Sequence, residues 1–332
     1  MGIFDVSHMG RLIVRGADSC TFLDSLTTNN VSSLGVADGQ YSLLCNEKGG
    51  IKDDLLVFRL AEAEYLLVYN AANRSKDYEW LLKHLQGAVQ LTDVSDEVAM
   101  YALQGPDAAR VLQQVVNVDL KTVSRFGSAW SRIADSAVLM TRTGYTGEDG
   151  FEIFVMNSQV DHPEAAVKAW EKLLEAGKPH GIEPCGLGAR DLLRLEAGFC
   201  LYGTDMDEST NPYEAKLGFV VKLEKEFVGR LSLKEVKEGG TIKSRTCFVT
   251  SNRVIPRHGY AILRTSGQEV GQVTSGTLSP ILDKGIAMGY VGTEDAKLSS
   301  LGVRVRDRVE TVTSVKPPFY DTTKYGYARK QQ

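Results

Sequence analysis

The segment Thr141-Arg142-Thr143-Gly144-Tyr145-Thr146-Gly147-Glu148-Asp149-Gly150-Phe151-Glu152 carries the chain's most chemically pointed spacing. Gly144, Gly147 and Gly150 recur at every third position, which describes a tightly folded loop whose backbone takes angles that other residues resist. Beyond the loop, Phe151, Ile153 and Val155 alternate to one side of a strand and Glu152 to the other. A carboxylate thus follows the loop at a fixed point, with Glu148 and Asp149 inside it. Two readings stay open: a hairpin turn with solvent-facing acids, or a loop that presents Glu152 to a ligand.

Two further segments could do chemistry. In Asn46-Glu47-Lys48-Gly49-Gly50-Ile51-Lys52-Asp53-Asp54, the glycine pair makes a hairpin turn and the returning strand begins at the aspartates. Neighbours on a strand face opposite ways, so Asp53 and Asp54 do not share a cleft. Either one meets a ligand while the other serves the turn, or both are turn acids. In Pro184 through Gly198, Gly186 and Gly188 allow close backbone approach at a helix start, where free N–H groups favour anions. Arg190 in the first turn works against the helix dipole, which points to a carboxylate it must meet, in the protein or on a ligand. Arg194, one turn on, pairs with Asp191 or Glu196 as scaffold.

Other chemistries find little support. The glycines at 144, 147 and 150 do not form the dinucleotide fingerprint, and no phosphate-binding loop of the Gly-x-x-x-x-Gly-Lys-Ser/Thr kind occurs. The five cysteines (20, 45, 185, 200, 247) include no Cys-x-x-Cys pair, and the five histidines are scattered, so metal-ligand spacing is absent. Buried free thiols are the expectation. A net charge of -4 with no basic stripe gives no sign of nucleic-acid binding, and no apolar run is long enough to span a membrane. Met1 to Val6 resembles neither a signal peptide nor an Arg-rich transit segment, so a cytoplasmic address is expected, or a mitochondrial one in a eukaryote.

Elements must hold these residues in place. With 332 residues the chain can form two or three domains. Residues 11–14, 54–58 and 65–69 read as strands. Tyr78, Leu81, Leu82 and Leu85 have helical spacing and end at Gly87; Val167, Trp170, Leu173 and Leu174 do so before Gly177. A third helix runs from Leu187 to Ala197 and closes at Gly198. Glu238-Gly239-Gly240 reads as a linker, and the glycine-punctuated, strand-rich sequence beyond it as a small barrel or jelly roll. No internal repeat is visible. The expected class is α+β with an appended β domain.

Taken in order, these blocks resemble the glycine cleavage system T-protein family of aminomethyltransferases. The resemblance runs through Phe4-Asp5-Val6-Ser7-His8-Met9-Gly10, Asn46 to Val57, Asn70-Ala71-Ala72-Asn73 and Leu103-Gln104-Gly105-Pro106. It continues through the Gly144–Glu152 loop, Gly186 to Gly198, Leu201 to Glu208, Gly271 to Gly276 and Ile286 to Tyr290. It implies a three-domain cloverleaf with a central folate channel. Residues 1–237 would form the folate-binding region, as two interleaved α+β subdomains shortened at the N-terminus, and 241–332 the C-terminal barrel.

The implied reaction takes the aminomethyl group from the lipoyl arm of H-protein to tetrahydrofolate, giving 5,10-methylenetetrahydrofolate, ammonia and dihydrolipoyl H-protein, with no metal. By resemblance, Asp54 is the catalytic aspartate that orients the attacking folate nitrogen and stabilises the cationic carbon as ammonia leaves. Glu152 accepts hydrogen bonds from the pterin ring, and Arg190 is an arginine of the folate site. Tyr41 and Tyr145 are aromatic neighbours of the folate, Met9 lines the channel, and Tyr325 falls near a further folate contact.

Family members carry roughly forty more residues before Phe4, so a shortened first domain with an exposed sheet edge is expected. Rival readings are a non-catalytic folate-binding relative in iron–sulfur assembly, a folate-dependent demethylase or the folate half of a flavin-linked dehydrogenase, and a plain α+β binding module. The first requires a Lys-Gly-Cys-x-x-Gly-Gln-Glu motif, where this chain has Leu201-Tyr202-Gly203-Thr204-Asp205-Met206-Asp207-Glu208. The flavin-linked dehydrogenase needs a flavin domain for which there is no room.

Overall fold

The computed structural model describes residues 1–329; the last three residues of the expected 241–332 barrel region lie outside them. The chain opens with β1 (Gly2–Asp5), β2 (Gly10–Arg15), α1 (Ser19–Leu26), β3 (Gly39–Cys45), β4 (Ile51–Ala61), β5 (Glu64–Tyr69), α2 (Arg74–Lys83) and β6 (Gln90–Asp93). There follow β7 (Ala99–Gln104), α3 (Ala108–Leu112), β8 (Ser128–Ile133), β9 (Ser136–Thr141), β10 (Gly150–Val155), α4 (Glu164–Gly177), β11 (Glu183–Pro184), α5 (Leu187–Ala197) and α6 (Arg230–Gly239). The last strands are β12 (Lys243–Thr250), β13 (Ala261–Leu263), β14 (Glu269–Ser279), β15 (Lys284–Gly292), β16 (Ser300–Val305) and β17 (Arg308–Val315), and they close a barrel.

The first two sheets repeat one plan. One has the order β3-β4-β5-β2-β6, the other β8-β9-β10-β7-β1-β11. In each, a strand, a helix, a three-strand meander and a second helix follow in sequence. The flanking strands are exchanged: β1 precedes β2 in the chain yet pairs antiparallel with β7, and β6 precedes β7 yet pairs antiparallel with β2. The expectation of no internal repeat is therefore corrected. The repetition lies in strand order, which residue-by-residue comparison does not reveal.

Side-chain alternation stacks these sheets face to face. On β5, Tyr65, Leu67 and Tyr69 pack with α1 and α2 residues Phe22, Leu23, Trp80 and Leu81. Leu66 and Val68 point the other way, against Phe4, Met100, Ala102 and Phe154 of the partner sheet. The outer face of that sheet is covered by Val111 and Leu112 of α3 and Ala169 and Leu173 of α4. The result is four layers, helix–sheet–sheet–helix, each buried Leu or Phe contributing about 1.5–3 kcal/mol.

Boundaries differ from the sequence reading in small ways. The strand carrying the two aspartates begins two residues earlier, at Ile51, because Ile51 and Lys52 are already paired or buried in the sheet. The helix expected to reach Gly87 stops at Lys83. The expected linker 238–240 is mostly the end of α6, which Gly240 ends with a positive φ of 87°. After Val315 the chain leaves the barrel and crosses back over the sheets, where the Phe319 amide donates to the Glu196 carbonyl and Tyr327 to that of Gly147. Among the described residues no helix is long and apolar enough to cross a membrane. All five cysteines are free, and Cys45, Cys200 and Cys247 are buried.

Candidate active site

The inner faces of the two sheets open at one end into a cavity of about 2010 Å³, walled on its other sides by α5, the 198–202 segment and the C-terminal crossing. On β4, Asp54 shares its face with Leu56 and Phe58, which belong to the inter-sheet core. On β10, Glu152 shares its face with Phe154, of the same core. Each sheet therefore delivers one carboxylate to the same space, and both line the cavity. Asp53, Leu55 and Val57 face outward towards the helices.

Asp54 is held at both oxygens: Tyr41 Oη donates to Oδ2 at 3.0 Å and Asn70 Nδ2 to Oδ1 at 2.8 Å. Burial, and next the negative charge of Asp53, push its carboxyl up to about 7; the Tyr41 and Asn70 hydrogen bonds resist that rise. Tyr41 is itself pushed well above its ordinary value by burial and by Asp54, so it stays a donor. Glu152 is 5% exposed. Thr143 Oγ1 donates to its Oε2 at 2.5 Å, and Oε1 has no protein donor among the described residues. Burial raises the Glu152 carboxyl, while the Thr143 hydrogen bond and the Arg190 charge counter that rise.

Arg190 makes no ion pair among the described residues. Its guanidinium lies over the Tyr145 ring at 4.9 Å, and Tyr145 stacks in turn on Phe199 with centroids 5.8 Å apart. The Tyr145 hydroxyl donates to the Cys200 carbonyl. An unpaired cation, a half-satisfied carboxylate and an aromatic shelf are what a planar, hydrogen-bonding ligand requires. The residues present thus fit a reduced pterin, with Glu152 Oε1 as the open acceptor.

The loop around 144–150 reaches its shape through close contacts. A Cβ on Gly144 would lie 1.9 Å from Gln104 Oε1, and one on Gly150 2.5 Å from the Leu103 carbonyl oxygen. Gly147 has φ 77°, and a Cβ there would lie 2.2 Å from Tyr320 Oη. The loop does join two antiparallel strands, but the solvent-facing reading of its acids is overturned. Asp149 takes a two-point ion pair from Arg142 at 3.0 and 2.7 Å. Glu148 accepts from the Gly326 amide at 2.9 Å and pairs with Arg329.

Of the residues singled out in the sequence, Met9, Tyr41, Asp54, Tyr145, Glu152 and Arg190 all line the cavity. Tyr325 does not: it is 39% exposed and packs edge-on against Tyr320, while its neighbours Lys324, Gly326 and Tyr327 face the cavity. Arg194 is scaffold, as expected, though with more partners than Asp191. It is 2% exposed and also binds Asp205 at 2.6 Å and Ser275 Oγ at 2.9 Å, and Glu196 turns instead to Ser279. Asn70 and Phe199 also line the cavity, and no motif in the sequence marks a role for either. Asn70 opens the Asn70-Ala71-Ala72-Asn73 segment, and only the tertiary fold brings it to two aspartates at once.

Comparison with known proteins gives the family of the chain. The GCVT N-terminal domain family matches residues 1–225, and the glycine cleavage T-protein C-terminal barrel domain family residues 243–321. An aminomethyltransferase of Geobacillus sp. (strain WCH70) is 46% identical over 97% of this chain and 88% of its own length. That of Flavobacterium psychrophilum is 41% identical over 96% and 88%. The crystal structure of glycine cleavage system aminomethyltransferase T from Bartonella henselae superposes with a TM-score of 0.87 at 33% identity, covering 96% of this chain and 86% of that one. The chain belongs to the glycine cleavage T-protein family of aminomethyltransferases.

Proposed function

We propose that the cavity binds tetrahydrofolate and receives the aminomethyl-loaded lipoyl arm of an H-protein, yielding 5,10-methylenetetrahydrofolate, ammonia and dihydrolipoyl H-protein. The observation that carries this is the placement of Asp54 and Glu152 on facing sheets of one cavity, each with a different hydrogen-bonding duty. Folate, when bound, supplies the amine nitrogens that accept the one-carbon unit. Glu152 anchors the pterin edge through its open oxygen, and Tyr145 with Arg190 gives a face for the ring to lie against.

Asp54 stands where positive charge develops. Its carboxyl, poised near neutrality, holds or releases a proton at Oδ1 or Oδ2 without leaving its Tyr41 and Asn70 contacts. As a carboxylate it stabilises a cationic carbon in a site shielded from water, an effect worth a few kcal/mol, about 10²–10³ in rate. Met9 lines the apolar side. Tyr325, outside the cavity, is given no part. Isothermal titration of the chain with tetrahydrofolate, beside Glu152→Gln, tests the binding half. Micromolar binding that weakens in the variant supports the reading; identical binding by both would remove Glu152 from it.

A further inference from the structure

Arg245, on β12, is a cation that the barrel sends into the wall of the cavity. It is 9% exposed and pairs with no carboxylate among the described residues. A buried charge without a counter-ion needs other acceptors. Two carbonyls supply them: Nη1 donates to Gly198 and Nε to Ala215, both at 2.8 Å, and Nη1 also meets the Met288 sulfur at 3.1 Å. Gly198 ends α5 with φ 78°, so its carbonyl stands at the negative end of that helix's dipole, where a guanidinium is favoured. One side chain of the barrel therefore grips two segments that lie outside the sheets.

Each segment leads into the cavity wall. After Gly198 come Phe199, on which the Tyr145 ring stacks, and Cys200, whose carbonyl accepts from the Tyr145 hydroxyl. Arg190 lies over the same Tyr145 ring. After Ala215 come Lys216, at φ 60°, and Leu217, both of which line the cavity. A residue other than glycine keeps a positive φ only where its surroundings fix it, and the bond from Arg245 to the preceding carbonyl is one such fixture. We propose that Arg245 is a positioning residue: by clamping Gly198 and Ala215 it holds Phe199 and Cys200 against Tyr145, and so sets the affinity of the cavity for its planar ligand. The inference rests on the folate-binding reading of the cavity. The fork matters as much as the charge, because the single nitrogen of a lysine does not reproduce the two divergent N–H groups of a guanidinium.

The test is tetrahydrofolate binding by titration, with turnover on the same preparations, in wild type, Arg245→Lys, Tyr145→Phe and the double variant. Arg245→Lys is expected to raise the folate dissociation constant and KM about tenfold, the effect of losing one hydrogen bond, while kcat at saturating folate falls by less than about threefold. Tyr145→Phe removes the bond to Cys200. Since both substitutions release the same shelf, the double variant is expected to bind little more weakly than the poorer single one. Wild-type affinity in Arg245→Lys, a loss confined to kcat, or losses that multiply in the double variant would overturn the proposal. A check on the wild-type protein needs no variant. The Phe199 amide, which donates to the Arg194 carbonyl at 2.8 Å, is expected to exchange with solvent as slowly as the amides of β12, since a clamped helix end opens only with the barrel. Fast exchange there by local fraying would overturn the proposal even if Arg245→Lys failed to fold. Failure of the folate reading is recognised separately, by a wild-type chain that binds no tetrahydrofolate.

Discussion

At the residue scale, half-buried Asp54 and buried Glu152 are both carboxylates with raised proton affinity, yet their surroundings assign them different work. Asp54 is saturated by Tyr41 and Asn70 and sits in the field of Asp53; Glu152 keeps one oxygen open beside an unpaired arginine. Asp54→Asn is expected to lower kcat about 10²-fold while leaving the folate dissociation constant within a factor of about two, measured by turnover and titration on the same preparation. The same variant has a signature in stability. Because the folded-state value of about 7 lies above the ordinary 3.8, the folded protein binds more protons across that window, and Asp54 loses it stability as pH rises through it. Asp54→Asn should therefore melt higher than wild type above neutrality, with the gain vanishing near pH 4. Glu152→Gln is expected to weaken folate binding about tenfold to a hundredfold, since an amide cannot accept as a carboxylate does.

At the scale of elements, the loop between β9 and β10 is fastened from outside by the C-terminal crossing, through Glu148 to Gly326 and Gly147 to Tyr327. Arg125, stacked 3.5 Å from the Tyr327 ring, holds the crossing from its other side. Gly147→Ala is expected to destabilise the protein by about 1–3 kcal/mol and to expose the crossing to limited proteolysis, for the added methyl both opposes the positive φ and meets Tyr320. Much at this scale was legible in the sequence. Alternating Phe151, Glu152 and Ile153 did place the carboxylate on the face opposite those two apolar residues, and the Asp53–Asp54 step did send the two acids to opposite sides. Helix α5 ran as its Gly186 start and Gly198 end indicated. The partner of Glu148 was not legible, because it lies 178 residues away in sequence and short-range spacing carries no sign of it. The same holds for Tyr325, where proximity to a matching block did not fix which tail residues face inward.

At the scale of the molecule, the exchanged strands β1 and β6 lock the two sheets together, and a few buried polar groups join them to the barrel. Arg194 of α5 reaches Asp205 and, on β14, Ser275. Arg245 of β12 donates to the Gly198 and Ala215 carbonyls, both at 2.8 Å. Arg194→Met should cost about 3–5 kcal/mol by leaving Asp205 buried without its cation, and Asp205→Asn in that background should recover part of it, both read from denaturant unfolding. The sheet exchange was hidden from the sequence since it repeats topology and not residues, whereas the barrel showed itself in glycine-punctuated strands.

The central claim is that this cavity, through Asp54, transfers an aminomethyl carbon to folate. Its most direct test is methylenetetrahydrofolate formation from aminomethyl-loaded H-protein and tetrahydrofolate, with the wild-type chain beside Asp54→Asn. Steady product from wild type and a loss of about 10²-fold in a variant that still binds folate is the predicted result. No product from a folded, folate-binding wild type, or equal turnover by the variant, would contradict it.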